Sequence, residues 1–314
     1  MIDNPKSVYV IGATGLIGSY ALRYLIDCGY NPVVLSRNVD KARKFFGDTV
    51  DVQYWNGSDA KELMHLINGS RALINLAGES IASRWTVAKK DAIVKSRVNT
   101  TNAIVEAIKQ CSAPPKVFIQ GSATGYYPFN SNLSFDEDSV QGNGFLSQVV
   151  LQWEQAAVRV ENKTRLVIIR TGVVLSNQGG FLKKMILPIK LLVGGWFGNG
   201  SNVLSWIHIK DHVRAMVFLL ETEGCSGVYN LTTQEPVAIK FFLKRLGSVL
   251  HRPVWLPIPT FLLRMAFGQM AKEVILSNQN IIPKRLIQAG FKFEFSSIDG
   301  ALIDLLKEKD YASF

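Results

Sequence analysis

Three glycines at fixed spacing are the first residues in this chain that indicate a chemistry. Gly12, Gly15 and Gly18 follow an apolar segment that ends at Ile11 and precede a segment with helical periodicity. A strand that turns into a helix through such glycines presents amide N–H groups and a partial positive charge to a bound pyrophosphate. Gly12 permits the tight turn, Gly15 lets the backbone approach the pyrophosphate, and Gly18 lets the helix pack closely on the sheet. The spacing predicts a dinucleotide site.

The end of the second candidate strand indicates which dinucleotide. That strand closes with Ser36, and Arg37 follows it. An acidic residue here would bind the ribose 2′-hydroxyl of NAD, whereas an arginine suits the 2′-phosphate of NADP. The sequence therefore favours NADP(H), with the Ser36 hydroxyl as a second donor. The alternative is that Arg37 is a solvated surface charge.

Short apolar runs alternate with longer helix-period segments through the first half of the chain, which is typical of βαβ units. We predict strands at Ser7 to Ile11, Pro32 to Ser36, Val50 to Trp55, Ala72 to Leu76, Lys116 to Gly121 and Arg165 to Arg170, and helices at Leu16 to Cys28, Asp59 to Asn68, Val87 to Gln110 and Phe145 to Glu161. The fold class is α/β, a doubly wound parallel (Rossmann) sheet with a smaller C-terminal substrate lobe.

The pattern changes after Arg170, where prolines and a glycine-rich loop from Gly194 to Gly200 separate shorter elements. We predict an NADP-binding domain over residues 1–174, completed by about 207–232, and a substrate lobe over residues 175–206 and 233–314. The completing segment holds a helix that starts at Asp211 and a strand at Gly227 to Leu231. The lobe would cover the crevice at the carboxyl edge of the sheet, where ligands bind in such folds.

Composition excludes several classes of protein. The 314 residues are 47% hydrophobic and 19% charged, which rules out a disordered chain, a coiled coil and a small disulfide scaffold. The net charge of +10 is spread without a run of five basic residues or a nucleic-acid-binding motif, so no nucleic-acid partner is expected. Three distant cysteines indicate neither a disulfide framework nor a metal site.

No segment of the sequence indicates export or membrane insertion. The N-terminus has no basic segment followed by an apolar stretch. The apolar stretch from Met185 to Phe197 contains Pro188 and Lys190 and is shorter than the roughly 20 residues that a bilayer requires. We therefore expect a cytoplasmic protein without a membrane partner. The segment from Phe181 to Trp206 leaves two roles open, a wall of the substrate pocket or a homodimer contact.

Several motifs together resemble a known family. The Gly12 to Gly18 spacing, Asn75 to Gly78 and Gly121 to Tyr126 resemble the extended short-chain dehydrogenase/reductase superfamily. Further motifs resemble one branch of that superfamily, the atypical epimerase family, which is also described as nucleoside-diphosphate-sugar-epimerase-like. These motifs are Asn75 to Glu79, Arg84 to Thr86, Ser96-Arg97, Arg170 to Leu175, Ser205 to His208 and Ala289 to Phe291. The resemblance spans Val8 to about Leu306.

The resemblance implies a set of contacts to NADP(H). The cofactor would contact Gly12, Thr14, Gly15, Leu16, Ile17, Gly18, Ser36, Arg37, Leu76, Ala77 and Gly78, with further polar contacts from Glu79, Arg84 and Arg97. Gly121, Ser122, Thr171, Gly172 and Val173 would lie near the nicotinamide. Each of the arginines could instead be a solvated surface charge.

The catalytic residues depart from the superfamily pattern. Its reductases use Tyr-x-x-x-Lys, in which the lysine lowers the pKa of the tyrosine so that the hydroxyl exchanges a proton. The resemblance puts Leu146 and Val150 at these two positions, which looks like a trait of the branch. Ser122 occupies the place of the catalytic Ser/Thr and could bind a substrate carbonyl, or it could be a turn residue. Tyr126, beside Tyr127, is the best substitute for the acid.

Other titratable residues have simpler interpretations. His208 lies in a strand-like segment and is better explained as a structural histidine than as a titrating group, and Asp211 would cap the next helix. Asp136 to Asp138 fit an acidic turn better than a catalytic base.

Two hypotheses stay open on function. One is an NADP(H)-dependent oxidoreductase or epimerase acting on an unidentified small carbonyl or hydroxyl compound. The other is a non-catalytic NADP(H)-binding sensor, for which the absent Tyr and Lys argue.

Overall fold

The computed structural model of the chain describes residues 4–160 and 162–307. Its strands are β1 (Asn4–Ile11), β2 (Asn31–Ser36), β3 (Asp51–Tyr54), β4 (Ser70–Asn75), β5 (Val117–Ala123), β6 (Asn130–Phe135), β7 (Arg165–Thr171), β8 (Val173–Leu175), β9 (Gly195–Phe197), β10 (Val203–Leu204), β11 (Trp206–His208), β12 (Gly227–Leu231), β13 (Val237–Ala238), β14 (Leu256–Ile258) and β15 (Asn278–Ile281).

The α-helices of the same residues alternate with these strands. They are α1 (Leu16–Asp27), α2 (Val39–Phe46), α3 (Ala60–Ile67), α4 (Val87–Gln110), α5 (Phe145–Val158), α6 (Gly180–Lys190), α7 (Ile209–Glu221), α8 (Ile239–Val249), α9 (Thr260–Phe267), α10 (Lys284–Gln288) and α11 (Ile298–Lys307). Short 3₁₀ turns at Gly47–Thr49 and Thr124–Tyr126 and a π-helical turn at Ala271–Ile275 complete the assignment.

Seven parallel strands form the central sheet, in the order β12-β7-β5-β4-β1-β2-β3. The chain reverses its direction of winding at β1, which lies between β2 and β4. Ile11 pairs with both Leu35 and Asn75, so the carboxyl ends of β1, β2 and β4 are level. The predicted doubly wound Rossmann sheet is confirmed, and its switch point is the place where ligands bind in such sheets.

The helices cover both faces of the sheet because the strands are apolar on both sides. One core packs α1 and α7 against the sheet and includes Tyr20, Leu22 and Met216, all without exposed surface. A second core packs α3 and α4 against the other face, around Phe118. The central strands are therefore buried from both sides.

The predicted elements are confirmed with small shifts in their ends, and two predictions were wrong in detail. Helix α2 and strand β6 are elements for which the sequence analysis made no prediction. Strand β9 lies inside the segment expected to be a loop, because Gly195 to Phe197 pair with β14 across a long interval of sequence. Helix α7 begins at Ile209 and not at Asp211, because the His208 ring accepts the Lys210 N–H and caps the helix.

Parts of two other predictions lie outside the described residues. Helix α5 ends at Val158, and the expected end of this helix at Glu161 is not described. Residues 308–314 of the expected lobe are likewise not described. No described helix is long and apolar enough to cross a bilayer.

We expect Gly18→Ala to lower the free energy of unfolding by about 1–3 kcal/mol, although alanine is the better helix former. A Cβ at Gly18 would lie 2.4 Å from the Gly12 carbonyl oxygen and 2.6 Å from the Ala13 Cα. Gly224→Ala is the control, since a Cβ there meets nothing within 4 Å. Urea unfolding measures both variants, and equal stabilities would contradict the steric argument.

Candidate functional site

The glycine turn between β1 and α1 is a cradle without room for side chains. Gly12 has φ +82°, and a Cβ there would lie 2.7 Å from the Leu76 carbonyl carbon. The Gly15 N–H donates to the Gly12 carbonyl at 3.1 Å, and no side chain caps α1. Free amide donors at a helix N-terminus against closely packed backbone fit a pyrophosphate.

The other predicted contacts of this turn have mixed surroundings. Thr14 and Gly15 are exposed, while Leu16 and Ile17 are half-buried. The Leu16 side chain lies against the start of α6, where a Cβ on Gly179 would be 3.1 Å from its Cδ1. The lobe therefore begins beside the cradle.

At the end of β2, the two predicted 2′-phosphate ligands differ in availability. Arg37 is exposed, and its side chain passes Gly57, whose Cβ would lie 3.8 Å from the Arg37 Cδ. The Ser36 hydroxyl donates to the Asn38 carbonyl at 3.0 Å. Arg37 is thus open to an anion, whereas the Ser36 proton is already engaged.

A buried amide positions the segment after β4. Asn75 has no exposed surface, and its Oδ1 accepts the Ala77 N–H at 3.1 Å. Its Nδ2 donates to Gln120 on β5 at 3.1 Å. The backbone of Leu76, Ala77 and Gly78 is therefore held at the mouth of the crevice.

The three polar residues predicted near Gly78 are arranged differently. Arg97 lies beneath Gly78 and donates to the Glu79 carbonyl at 3.1 Å, and burial lowers the pKa of its guanidinium to about 10. The Glu79 carboxylate pairs with Lys89, which lowers the carboxyl pKa. Arg84 lies apart and donates to the Met265 carbonyl of α9 at 3.2 Å, so it joins this loop to the lobe.

Ser122 belongs to a buried charge network. Its hydroxyl donates to the Glu154 Oε1 at 2.6 Å. Arg170 donates to both oxygens of the same carboxylate, at 2.8 and 2.7 Å, and the side chains of Glu154 and Arg170 are only 9% and 5% exposed. The Ser122 proton points to Glu154, so Ser122 offers only lone pairs to a ligand.

The two tyrosines after β5 are not equivalent. Tyr127 is buried, accepts from Arg170 at 3.0 Å and donates to Asn230 at 2.8 Å, and burial raises the pKa of its phenol to about 12. Tyr126 is half-buried, and the Arg170 guanidinium carbon lies 3.4 Å from the centroid of its ring. The Tyr127 hydroxyl is therefore committed to the core, whereas Tyr126 keeps part of its side chain exposed.

The first two turns of α5 carry apolar residues, Leu146 and Val150, at the positions of the absent pair. Leu146 and Val150 pack against Gly125, where a Cβ would lie 3.2 Å and 3.9 Å from them. The amides of Phe145 and Leu146 donate to the carboxylate of Glu273 at 3.2 and 3.0 Å. A lobe residue therefore caps this helix.

The segment Thr171 to Val173 is held between two other strand ends. A Cβ on Gly172 would lie 2.7 Å from the Ser205 carbonyl oxygen, and the Val173 N–H donates to that same oxygen at 2.9 Å. The Thr171 hydroxyl lies 3.0 Å from the Nε2 of His212, a fully buried ring whose pKa burial lowers to about 3. Gly121 also lies close to neighbouring backbone, since a Cβ there would be 2.8 Å from the Asn75 carbonyl oxygen.

The remaining titratable candidates are structural. His208 is buried, stacks on Phe295 with ring centroids 3.8 Å apart, and burial lowers its pKa to about 4. The prediction that Asp211 caps the next helix was wrong, because His208 is the N-cap of α7. Asp211 lies inside α7 and accepts the amides of Glu294 and Phe295 at 3.0 and 2.9 Å. Asp136 and Asp138 pair with Lys284, which supports the acidic-turn interpretation.

Sequence reasoning missed the extent of the Glu154–Arg170 network and the roles of Asn75, His212 and Glu273. The available signal was a charged residue in an otherwise apolar helix, Glu154, and another at the end of an apolar strand, Arg170. Pairing them requires knowing that α5 crosses β7. No group of three or more His, Cys, Asp or Glu side chains among the described residues could hold a metal ion.

We expect Arg170→Met to lower the free energy of unfolding by about 3–5 kcal/mol, because it leaves the Glu154 carboxylate buried without its partner. Adding Glu154→Gln should recover much of this loss in urea unfolding. Lys95→Met is the matched control: its ion pair with Asp91 is solvent-exposed, so little change is expected. Equal losses in the two single variants would contradict the assignment of a buried pair.

Comparison with known proteins identifies a family that agrees with the fold and with the glycine turn. A model of the NAD dependent epimerase/dehydratase family matches residues 8–232, and a domain of unknown function, DUF1731, matches residues 258–305. Epimerase family protein YfhF of Bacillus subtilis (strain 168) is 36% identical over 308 residues, covering 96% of this chain and 99% of that protein.

Two further relatives extend the comparison. Epimerase family protein SDR39U1 homolog, chloroplastic, of Arabidopsis thaliana is 35% identical over 302 residues, covering 96% of this chain and 86% of that protein. The crystal structure of human epimerase family protein SDR39U1 (isoform2) with NADPH superposes with a TM-score of 0.86 at 30% identity, covering 95% of this chain and 98% of that chain. Since the family model matches more than half of the residues, the chain belongs to the NAD dependent epimerase/dehydratase family, as an atypical short-chain dehydrogenase/reductase.

Proposed function

We propose that this protein binds NADP(H) and is an oxidoreductase or epimerase of a small carbonyl or hydroxyl compound. The observation that carries the proposal is the cradle of Gly12 and Gly18, in which added Cβ atoms would meet backbone at 2.7 and 2.4 Å. Such close approach at the switch point of a parallel sheet suits a pyrophosphate.

The preference for NADP(H) over NAD(H) rests on Arg37. It is exposed at the end of β2, where the dinucleotide ribose lies in this fold. A guanidinium binds a phosphate through paired, charge-assisted hydrogen bonds. The human relative that was solved with NADPH supports the same choice.

The remaining predicted contacts support a dinucleotide that runs along the carboxyl edge of the sheet. Leu76, Ala77 and Gly78 follow β4, which lies between β1 and β5, and the half-buried guanidinium of Arg97 lies next to Gly78. Gly121 lies near the end of β5, and the segment Thr171 to Val173 runs from the end of β7 into β8, so these residues suit the nicotinamide end. NADP(H), when bound, supplies a hydride acceptor or donor at this end.

Ser122 would position the substrate oxygen. Because its proton is donated to Glu154 at 2.6 Å, its lone pairs accept a hydrogen bond from the substrate. This polarity suits a substrate hydroxyl better than a carbonyl, which itself needs a donor. The bidentate contact with Arg170 holds the Glu154 carboxylate in the orientation that receives the Ser122 proton.

The Tyr126 hydroxyl or a water molecule would exchange the proton of the substrate oxygen. Tyr126 follows Ser122 by four residues and is half-buried, whereas the neighbouring Tyr127 hydroxyl is committed to Asn230 and Arg170. Leu146 and Val150 cannot transfer a proton, so they would contribute apolar surface beside the reacting carbon.

A second candidate function is a non-catalytic NADP(H) sensor. It is favoured by the same Leu146 and Val150, which occupy the positions of the usual proton-transfer pair, and by the engaged proton of Ser122. In this case the redox state of the bound dinucleotide would set the position of the lobe, and the position of the lobe would control an interaction with a partner.

Calorimetric titration with NADPH and NADH tests the cofactor. We expect NADPH to bind about 10- to 100-fold more tightly, because the 2′-phosphate gains charge-assisted hydrogen bonds to Arg37. Arg37→Ala should abolish this preference. Arg43→Ala removes the same charge from an exposed position on α2 and should retain it. Absence of binding to either nucleotide would contradict both candidate functions.

A screen of small alcohols and carbonyl compounds, followed by NADPH absorbance, tests turnover. For any substrate found, Tyr126→Phe should lower kcat by about 10²- to 10⁴-fold if the phenol exchanges the proton. Ser122→Ala should also lower kcat/KM, with NADPH affinity unchanged. Tyr54→Phe is the control, because this tyrosine is exposed on β3. Full activity of Tyr126→Phe would assign the proton to water, and no turnover of any compound would favour the sensor.

A further inference from the structure

The positive charge of this protein is concentrated in one part of the lobe. Residues 177–207 and 236–272 contain nine of the 35 basic residues and none of the 25 acidic residues. These two segments therefore carry nine of the ten surplus positive charges. The rest of the chain is almost neutral, so the surplus is a local property of the lobe.

The same two segments expose an unusual amount of apolar surface. Ten of the 20 exposed large hydrophobic side chains of the described residues belong to them. The ten are Leu187, Leu191, Leu192, Val193, Phe241, Trp255, Leu256, Phe261, Leu262 and Met265. Contiguous apolar surface with a polar rim marks a site of interaction with another molecule or a membrane.

The pairing of β9 with β14 brings the two segments together, and we call the surface that carries their exposed side chains the lobe face. Gly195 is the register partner of Leu256 in this parallel pair, so the turn of residues 191–193 and Trp255 precede the two strands at the same end. Helix α9 starts two residues after β14 and contains no buried residue. The turn is held by backbone hydrogen bonds, including Val193 N–H to the Pro188 carbonyl at 3.0 Å, so its side chains are presented in a fixed position.

Two lysine-lined cavities flank the apolar residues of the lobe face. A cavity of about 420 Å³ is lined by Asn199, Gly200, Ser201, Ala238, Lys240, Phe241 and Lys244. Another of about 400 Å³ is lined by Asn177, Lys183, Ile186, Leu187, Lys190, Leu305 and Leu306. None of these four lysines forms an ion pair with a carboxylate of the described residues. Lys183 donates to the Gln178 carbonyl at 3.1 Å, and the Lys240 and Lys244 ammonium groups lie 4.4 and 5.7 Å from the centroid of the Trp196 ring. Each cavity therefore holds two ammonium groups whose charge no carboxylate of the described residues neutralises, which suits a phosphate head group.

We propose that the lobe face docks on the surface of a bilayer that contains anionic lipids. The apolar side chains would enter the boundary between head groups and acyl chains, and the lysines would bind lipid phosphates. Trp255 is 64% exposed, and a tryptophan is favoured at this boundary because its ring is amphipathic. A second copy of the chain is disfavoured, because two lobe faces would bring the cavity lysines of both copies together and the like charges would repel each other.

The proposal departs from the sequence-based expectation of no membrane partner. That expectation rests on the absence of a basic run and of a long apolar segment, both of which are features of linear sequence. The lobe face combines two segments that are separated by α7 and β12, so linear sequence divides its charge and its apolar side chains.

Sedimentation of the full-length protein with lipid vesicles tests the proposal. We expect binding to phosphatidylcholine vesicles that contain phosphatidylglycerol, little binding to phosphatidylcholine alone, and release by high salt. Two changes should each weaken partition by about tenfold or more: Lys240→Gln with Lys244→Gln, and Leu191→Ser, Val193→Ser and Trp255→Ser together.

Matched variants elsewhere on the surface serve as controls. Lys61→Gln with Lys163→Gln removes the same charge, and Leu133→Ser with Val140→Ser removes exposed apolar side chains outside the lobe face. Both should bind vesicles like the unaltered protein, and the circular dichroism spectrum shows whether each variant is folded.

Three results would overturn the proposal. The first is that the protein does not bind anionic vesicles at low salt. The second is that the lobe-face variants and the control variants lose vesicle binding equally. The third is that the protein does not bind vesicles but forms a dimer in solution, which the triple apolar substitution dissociates. Salt-sensitive binding of RNA in place of vesicles would assign the face to nucleic acid and would also overturn it.

Discussion

The buried ion pair between Glu154 and Arg170 is the interaction on which the centre of the molecule depends. Two charges removed from water must satisfy each other and their remaining donors and acceptors, because an unpaired buried charge is strongly destabilising. Arg170 therefore reaches Tyr127, and Glu154 takes the proton of Ser122. Through these contacts the pair fixes the ends of β5 and β7 relative to α5. The position and the polarity of Ser122 follow from it.

The glycine cradle and the start of α5 depend on different kinds of contact. The cradle depends on backbone approach, which glycine alone allows at Gly12 and Gly18. The first turn of α5 depends on other contacts, since Glu273 from the lobe accepts the amides of Phe145 and Leu146. Glu273 thus attaches the segment that follows α9 to the start of α5.

The lobe differs in its physical character from the sheet domain. Its two acid-free segments expose apolar side chains and lysines on one surface, whereas the exposed ion pairs elsewhere balance charge locally, as between Asp91 and Lys95. A large exposed apolar surface lowers the solubility of a protein, and such surfaces mark sites that bind another molecule or a membrane. The crevice suits a dinucleotide, and the lobe face is proposed to dock on an anionic bilayer.

The sequence by itself determined the Rossmann sheet, the glycine turn and the family, because these depend on local periodicity and on residues close together in the chain. It also placed Arg37 at the end of β2. Tertiary structure decided which distant groups meet. The partners of Ser122, the cap that Glu273 provides to α5 and the pairing of β9 with β14 join residues separated by 32, 127 or 128, and about 60 positions. No local pattern encodes such contacts, because they arise only when separate elements pack around a common core.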